Sequence, residues 1–425
     1  MPAGNMTELK DDCFAMGADL MPYEEALNIL NERINPVVDI ESVALRSALN
    51  RIAAEDILAK RNVPPHDNAA VDGYAVFFDD LNQDQETRLP VTGRIAAGHP
   101  LDRAVRRGEA LRVFTGAPIP PTPDGPDTIF FQEDCERIGD TVTLKPGIKK
   151  GANRRSAGED ITAGRVIIEN GCRLRAQEIG LAASVGCMAL PVRRRLKAAV
   201  FSTGDEVRDP AEEAPAGCIF DTNRYTIMGL LEGLDVSVTD LGILPDSRKA
   251  IREALQNATQ DHDLLITSGG ASQGEEDHIA AAVEELGALH FWRLAIKPGR
   301  PIALGQVGGT AFVGLPGNPV AVMVTFMQIA RPMILKLAGC SKTKPLKYRV
   351  RANFDHKKKR GRREWLRAKL VHGDDGVLGA IKYHTDGAGI LSSMAFADGL
   401  IELPEDQGPF DQGTMVDFIP FNEVT

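Results

Sequence analysis

The chain has 425 residues, is 43% hydrophobic and 25% charged, and carries a formal net charge of -10 at pH 7. That length exceeds one hydrophobic core and implies three or four domains. The acidic balance argues against general nucleic-acid binding. No apolar run reaches the ~18 residues that span a bilayer, and the start MPAGNMTELKDD lacks the basic-then-apolar order of a signal peptide. Six cysteines (Cys13, Cys135, Cys172, Cys187, Cys218, Cys340) are scattered with no Cys-x-x-Cys pair. They read as reduced thiols of a cytoplasmic protein, not as a disulfide or zinc framework.

Residues 1 to about 19 are expected to be poorly ordered. Met21-Pro22-Tyr23 starts a helix with Ala26, Leu27, Ile29, Leu30 and Ile34 on one side, stopped by Asn35-Pro36. Asp39 to Arg61 mixes a short strand with a helix through Leu45, Leu49 and Ala53. NVPPHDNAAVDGYAV (62–76) carries two stiff prolines and an Asp72-Gly73 turn signal. Spacing alone favours a hairpin there; the other reading is a loop displaying Asp67, Asn68 and Asp72. Leu89 to Leu144 has the marks of a small β domain, with short strands at 90–95, 110–114, 127–131 and 141–144. GANRRSAGED (151–160) is either a solvated mixed-charge surface or a loop whose arginines hold phosphate. A strand and a helix over 176–183 follow.

Arg195 to Gly339 is doubly wound α/β by pattern. Strands at 196–201, 236–241, 263–267, 289–295 and 310–314 are predicted, with helices from Asn223, to Ala258, after Gly274 and from Pro319 to Leu337. The turn 315–319 (LPGNP) puts Asn318 at the cap and Pro319 at the first helical position, where open N–H groups make an anion site. Lys344 to Thr425 alternates without helical period and reads as a small β barrel or sandwich, with Lys357–Arg360 at an exposed hairpin tip.

Four loops and the Asn318 helix terminus should meet at one sheet edge: 202–206, the loop at Asp246, 268–277 and 297–300. Glycine turns let N–H groups close around an anion, and a carboxylate beside them can hold a hard cation. Glu206, Asp246 and Asp277 with Lys297 and Arg300 suit a metal-assisted reaction on a phosphate or other oxyanion. Ordinary caps and turns explain each residue singly; the set is harder to explain so. Neither GxxxxGK[ST] nor GxGxxG occurs, which excludes a standard NTPase or NAD enzyme.

PPHDNAAVDGYAV, FTGAPIP, RRSAGED, FSTGDEV, DTNR, ITSGGASQGEED, AIKPGRP and GLPGNPVAV follow one another in this order. With them the chain resembles, from about Met21 to its end, the molybdopterin molybdenumtransferase (MoeA-type) family, related to the gephyrin E domain. The resemblance implies insertion of molybdate into adenylylated molybdopterin with Mg²⁺-dependent loss of AMP, in an elongated homodimer. It implies four domains: an α/β linker domain (20–61 with 155–194), a β-rich domain (62–154), a MoaB/MogA-like molybdopterin-binding domain (195–343) and a C-terminal β barrel (344–425). Asp72, Thr115, Asp160, Glu206, Asp246, Asp277 and Lys297 match positions implicated in turnover, which overturns the hairpin preference at Asp72. Arg155, Ser202, Thr203, Gly204, Ser268, Gly269, Gly270, Arg293, Gly299, Arg300, Pro316, Gly317, Asn318 and Pro319 match substrate-binding positions, and Glu206 with Asp277 would carry the Mg²⁺.

Three departures stand out: Arg293 where some members have lysine, Ser156-Ala157 diluting the arginine loop, and Phe396 where gephyrin-like members carry an arginine. Asp72 and Thr115 are candidates to reach in from the second subunit. The preceding adenylyltransferase and cofactor-accepting molybdoenzymes are candidate partners; nucleic acid and membrane are not. Two other readings use the same fold, a molybdopterin adenylyltransferase and a non-catalytic scaffold. The flanking domains argue against the first, the retained carboxylates and Lys297 against the second.

Overall fold

The computed structural model describes residues 20–120, 125–269 and 278–425; the expectation for residues 1–19 and the predicted sites Gly270 and Asp277 lie outside them. After the helix Tyr23–Arg33 the chain runs out and returns alongside itself. Strand Ile40–Ala44 pairs antiparallel with Ala189–Arg193, Ile57–Leu58 with Val166–Ile168, and Asn68–Ala69 with Arg154–Arg155. Ala48, Ile57, Ile168, Leu174 and Leu190 fill the seam between the two directions. The helix expected through Leu45, Leu49 and Ala53 is absent: a single 3₁₀ turn, Leu45–Ser47, is followed by extended backbone held to the returning chain. Long-range pairing wins there over helical spacing. The hairpin at 62–76 is also absent, because its two limbs pair elsewhere: Asn68–Ala69 with 154–155, and Gly73–Val76 with Ala110–Val113 and Thr128–Phe131.

At the far end of this run lies a six-stranded sheet. Its order is Thr128–Phe131, Gly73–Val76, Ala110–Val113, Thr87–Ile95, Thr141–Leu144, Glu136–Ile138.

The central sheet is built on Lys197–Thr203, flanked by Ser237–Leu244 on one side and by Leu264–Ser268 and then Thr310–Leu315 on the other, all parallel. Side chains alternate between its faces. Ala198, Val200, Leu264 and Ile266 join the core cluster that contains helix Pro319–Leu337. Ala199, Phe201 and Leu265 join a cluster with helices Arg248–Ala258 and His278–Leu286. Helices on both faces make the domain doubly wound, as its pattern indicates.

Pro301–Val307 is a strand that sequence reading missed, since its proline start and glycine obscured the β signal. It runs antiparallel between Thr310–Leu315 and the edge strand Gly287–Arg293, so the sheet is mixed. Helix Pro319–Leu337 also corrects the expectation that no segment is long and apolar enough to cross a membrane. It qualifies on length and hydropathy, but it is 83% buried inside the protein as a core helix.

The C-terminal strands Tyr348–Ala352, Arg363–His372, Leu378–Lys382, Gly399–Leu403 and Met415–Pro420 close into a five-stranded barrel. Lys357–Arg360 is no hairpin tip: it connects strands that do not pair with each other, and Lys358 is 2% exposed with Nζ donating to the Arg362 carbonyl at 2.7 Å. Arg363 ties the barrel to the first helix, bonding Glu24 at 2.8 Å and Glu402 at 3.0 Å. The two-residue strand Ile296–Lys297 leaves the central domain to pair with Arg363–Glu364, which brings the barrel to the sheet edge.

Candidate active site

The parallel strands end flush: Ser202 lies opposite Ser268, Ser268 opposite Leu315, and Thr203 opposite Leu244. The turns at Gly204, Asp246, Gly269 and Pro316–Gly317 therefore leave the sheet at one level. Gly204 adopts φ +132°, a backbone conformation that favours glycine, and the Glu206 carboxylate folds back to 2.8 Å from where a Cβ would stand. Gly299 adopts φ +87°, and its Cβ would fall 2.5 Å from Thr325 of the core helix. Its predicted binding role thus has a packing reason as well.

Asp246 is exposed. Ser247, not Asp246, caps the following helix, its hydroxyl accepting from the Ala250 N–H at 3.2 Å. Neither Asp246 nor Glu206 makes an ion pair among the described residues. Ser202 is 3% exposed and its Oγ has no hydrogen-bond partner among the described residues; Asn223 Oδ1 is buried and likewise unpartnered among them. Such atoms are rare in folded proteins and mark places where a ligand or water completes the bonding. Asn223 Nδ2 donates to the Gly317 carbonyl at 2.7 Å, joining the DTNR and LPGNP turns. Next to it Arg224, 3% exposed, bonds Asp221 at 3.0 Å and Asp240 at 2.6 Å and also pairs with Asp209.

The helix terminus at Asn318 is less open than expected. Asn318 makes no side-chain cap bond, and the Val320 N–H is already given to the Ala388 carbonyl of the barrel at 2.9 Å. Pro316 is buried, Gly317 and Asn318 are exposed, and Pro319 is half-buried. Arg293 and Arg300 are exposed at the same edge.

Lys297 is fixed by a neighbour that sequence reading did not anticipate. Its Nζ lies 3.5 Å from Glu364 Oε2, and Glu364 is 4% exposed. Burial opposes ionisation of Glu364, but the His356 hydrogen bond at 3.3 Å and the Lys297 charge outweigh it and hold the carboxyl below its usual range. Arg367, in the same cavity wall as Lys297, donates to Ser393 at 3.0 Å and to the Thr385 carbonyl at 3.0 Å. Phe396 packs edge-on against Tyr383, ring centroids 5.2 Å apart.

The remaining predicted residues form a second cluster. Asp72 Oδ1 accepts from the Thr115 N–H and from its hydroxyl, both at 2.8 Å. These two bonds, backbone first, hold the Asp72 carboxyl below its usual range. Asp72 and Thr115 open on a groove of about 600 Å³ lined, among the described residues, by 70–72, 115 and 131–134. Asp67, not Asp72, is the carboxylate engaged with the arginine loop, pairing with Arg154 and accepting from the Ala157 N–H at 2.7 Å. That leaves Arg155 and Asp160 exposed at the surface. Within one chain, then, the Asp72 groove and the strand edge are separate sites.

Asn223 and Glu364 were missed because nothing in their spacing separates them from ordinary cap and barrel residues; the only signal for Asn223 was its place in DTNR.

Comparison with known proteins matches three family descriptions along the chain. They are "MoeA N-terminal region (domain I and II)" over 21–186, "Probable molybdopterin binding domain" over 199–336 and "MoeA C-terminal region (domain IV)" over 349–421. A molybdopterin molybdenumtransferase of Haemophilus influenzae is 37% identical over 407 residues, covering 95% of this chain and 100% of that protein. One from a Nostoc species is 32% identical over 378 residues, covering 86% and 85%. The crystal structure of the molybdopterin biosynthesis moeA protein of Pyrococcus horikoshii superposes with a TM-score of 0.81 at 30% identity, covering 95% of this chain and all of that one.

Proposed function

This chain belongs to the MoeA family, and we propose that it inserts molybdate into adenylylated molybdopterin with Mg²⁺-dependent release of AMP. It acts in molybdenum cofactor biosynthesis as a molybdotransferase. The observation that carries the finer reading is the strand edge, where buried Ser202 and Asn223 atoms without partners among the described residues lie near carboxylates unpaired among those same residues. In this reading Ser202 Oγ and Asn223 Oδ1 bond the pterin and oxyanion substrates. Lys297, held by Glu364, and Arg300 face the charge that grows on phosphate and molybdate oxygens. Because Glu364 fixes the Lys297 ammonium from the barrel side, its remaining hydrogens are directed to substrate.

Glu206 and Asp246 fit a hard cation, since both are exposed carboxylates with no ion-pair partner among the described residues. Mg²⁺ needs only one or two such ligands, with water and phosphate oxygens for the rest. We assign it to Glu206 and, by family resemblance, Asp277. When bound it supplies charge neutralisation at the phosphoanhydride. Asp72 and Thr115 serve the same reaction from the second subunit of a cytoplasmic homodimer. The separation of their groove from the strand edge within one chain supports that arrangement. Substituting Glu206→Gln should lower Mg²⁺-dependent turnover about a hundredfold while leaving the circular dichroism spectrum unchanged. Undiminished turnover in this variant would remove Glu206 from the site.

A further inference from the structure

A cavity of about 460 Å³ opens between the first helix Tyr23–Arg33, the core helix and the connection 341–347. Its volume falls in the range of small-molecule sites. Where the core helix reaches it, Phe326–Ala330 winds as a π-helix, a widened turn that recurs at functional sites. Gln328 stands on that turn, 2% exposed, and lines the cavity. Its Oε1 accepts from Tyr23 Oη at 3.1 Å. Burial pushes the Tyr23 phenol well above its ordinary range, so it keeps its proton, and its oxygen also lies 3.4 Å from the Gln328 carbonyl oxygen. The other end, Nε2, is buried with no acceptor among the described residues, and such a group marks a place where water or a ligand completes the bonding.

The charge lining it is mostly positive. Lys336, Lys342, Lys344 and Lys347 line the cavity, and Glu24 is its one lining carboxylate. Lys344 lies 3.7 Å from Glu24, and Lys347 pairs with Glu402. Lys336 and Lys342 make no ion pair among the described residues. Leu27, Met327 and Pro332 give the cavity an apolar wall.

We propose that this cavity binds a small organic anion, one bearing carboxylate or phosphate on a short carbon skeleton. An anionic oxygen accepts from Gln328 Nε2, Lys336 and Lys342 balance its charge, and the apolar wall takes the carbon. None of the strand-edge residues lines this cavity, and the inference does not depend on the function proposed above.

Isothermal titration of the full chain in Mg²⁺-free buffer tests it, with citrate as the carboxylate probe and glycerol 3-phosphate as the phosphate probe. The expected result is sub-millimolar binding of at least one probe, and which one binds identifies the anion class. The double variant Lys336→Glu, Lys342→Glu should weaken it at least tenfold, and Lys297→Ala should leave it unchanged. Both lysines are at least partly exposed, so this variant keeps the fold; Gln328→Leu, if folded, should weaken binding as well. Failure of both probes to bind would overturn the proposal. So would binding that is lost in Lys297→Ala and kept in the lysine double variant, which would assign the anion to the strand edge.

Discussion

Arg224→Met removes the cation that three aspartates share. Asp221 is 5% exposed, while the Asp209 and Asp240 side chains are 28% and 38% exposed. Stranding a buried charge by deleting its partner costs about 3–5 kcal/mol. Only Asp221 is stranded in this way, because the other two carboxylates can rehydrate, so the expected loss is at the low end, ~3 kcal/mol. A second substitution should recover part of it. Asp221→Asn keeps the acceptor that caps the Arg224 N–H at 3.1 Å and removes only the stranded charge. In the Arg224→Met background it should restore at least ~1 kcal/mol, while in the native background it should destabilise, a coupling that a double-mutant cycle measures. Guanidinium unfolding followed by the fluorescence of Trp292, buried in the same sheet, reads this domain once Trp365 is replaced by Phe. If Asp221→Asn adds a further loss in the Arg224→Met background, the stranded-charge argument is wrong.

Asp72→Asn keeps the oxygen that Thr115 bonds and removes the charge, so turnover should fall about a hundredfold with little change in melting temperature; equal loss of both would make Asp72 structural. Thr115 holds the Asp72 carboxyl below its usual range, so the native pH–rate profile should show no acid limb from Asp72 above pH ~4. A limb near pH 5 that disappears in Asp72→Asn would contradict this. In the β-rich sheet, burial works against ionised Glu109, but Arg103, the Arg106 N–H and Thr92 outweigh it and lower its carboxyl to about 2. A depressed carboxyl stabilises the fold above its unfolded value near 4.5, and that stability is lost as pH falls from there through about 2. Glu109→Gln should therefore cost roughly 3 kcal/mol at pH 7, and much less at pH 3. Hydrogen exchange of the Ala110–Val113 amides reads it, and a cost that does not vary with pH would refute the linkage.

Much of the central domain was legible from its sequence because its strands are short apolar runs followed by glycine turns, and those turns carry the candidate residues. Pro301–Val307 was lost because a proline opens it, and the mixed sheet edge was lost with it. The run 39–61 misled because Leu45, Leu49 and Ala53 fall at helical spacing while their backbone is claimed by strands more than 100 residues away. Loop residues such as Asp246 could be placed at the edge from order alone. The Lys297–Glu364 contact could not, because it spans two domains and depends on Ile296–Lys297 leaving one sheet for another. The same limit hid the cavity beside Gln328, whose walls come from residues 23–31 and 327–347, far apart in the chain.

The most direct test of the central claim is AMP release from adenylylated molybdopterin by the purified chain, measured with and without molybdate and Mg²⁺. Release should require both, with molybdenum appearing in the pterin product as AMP leaves. Tight binding of the adenylate with no release under any combination would contradict the claim and leave the strand edge as a carrier site.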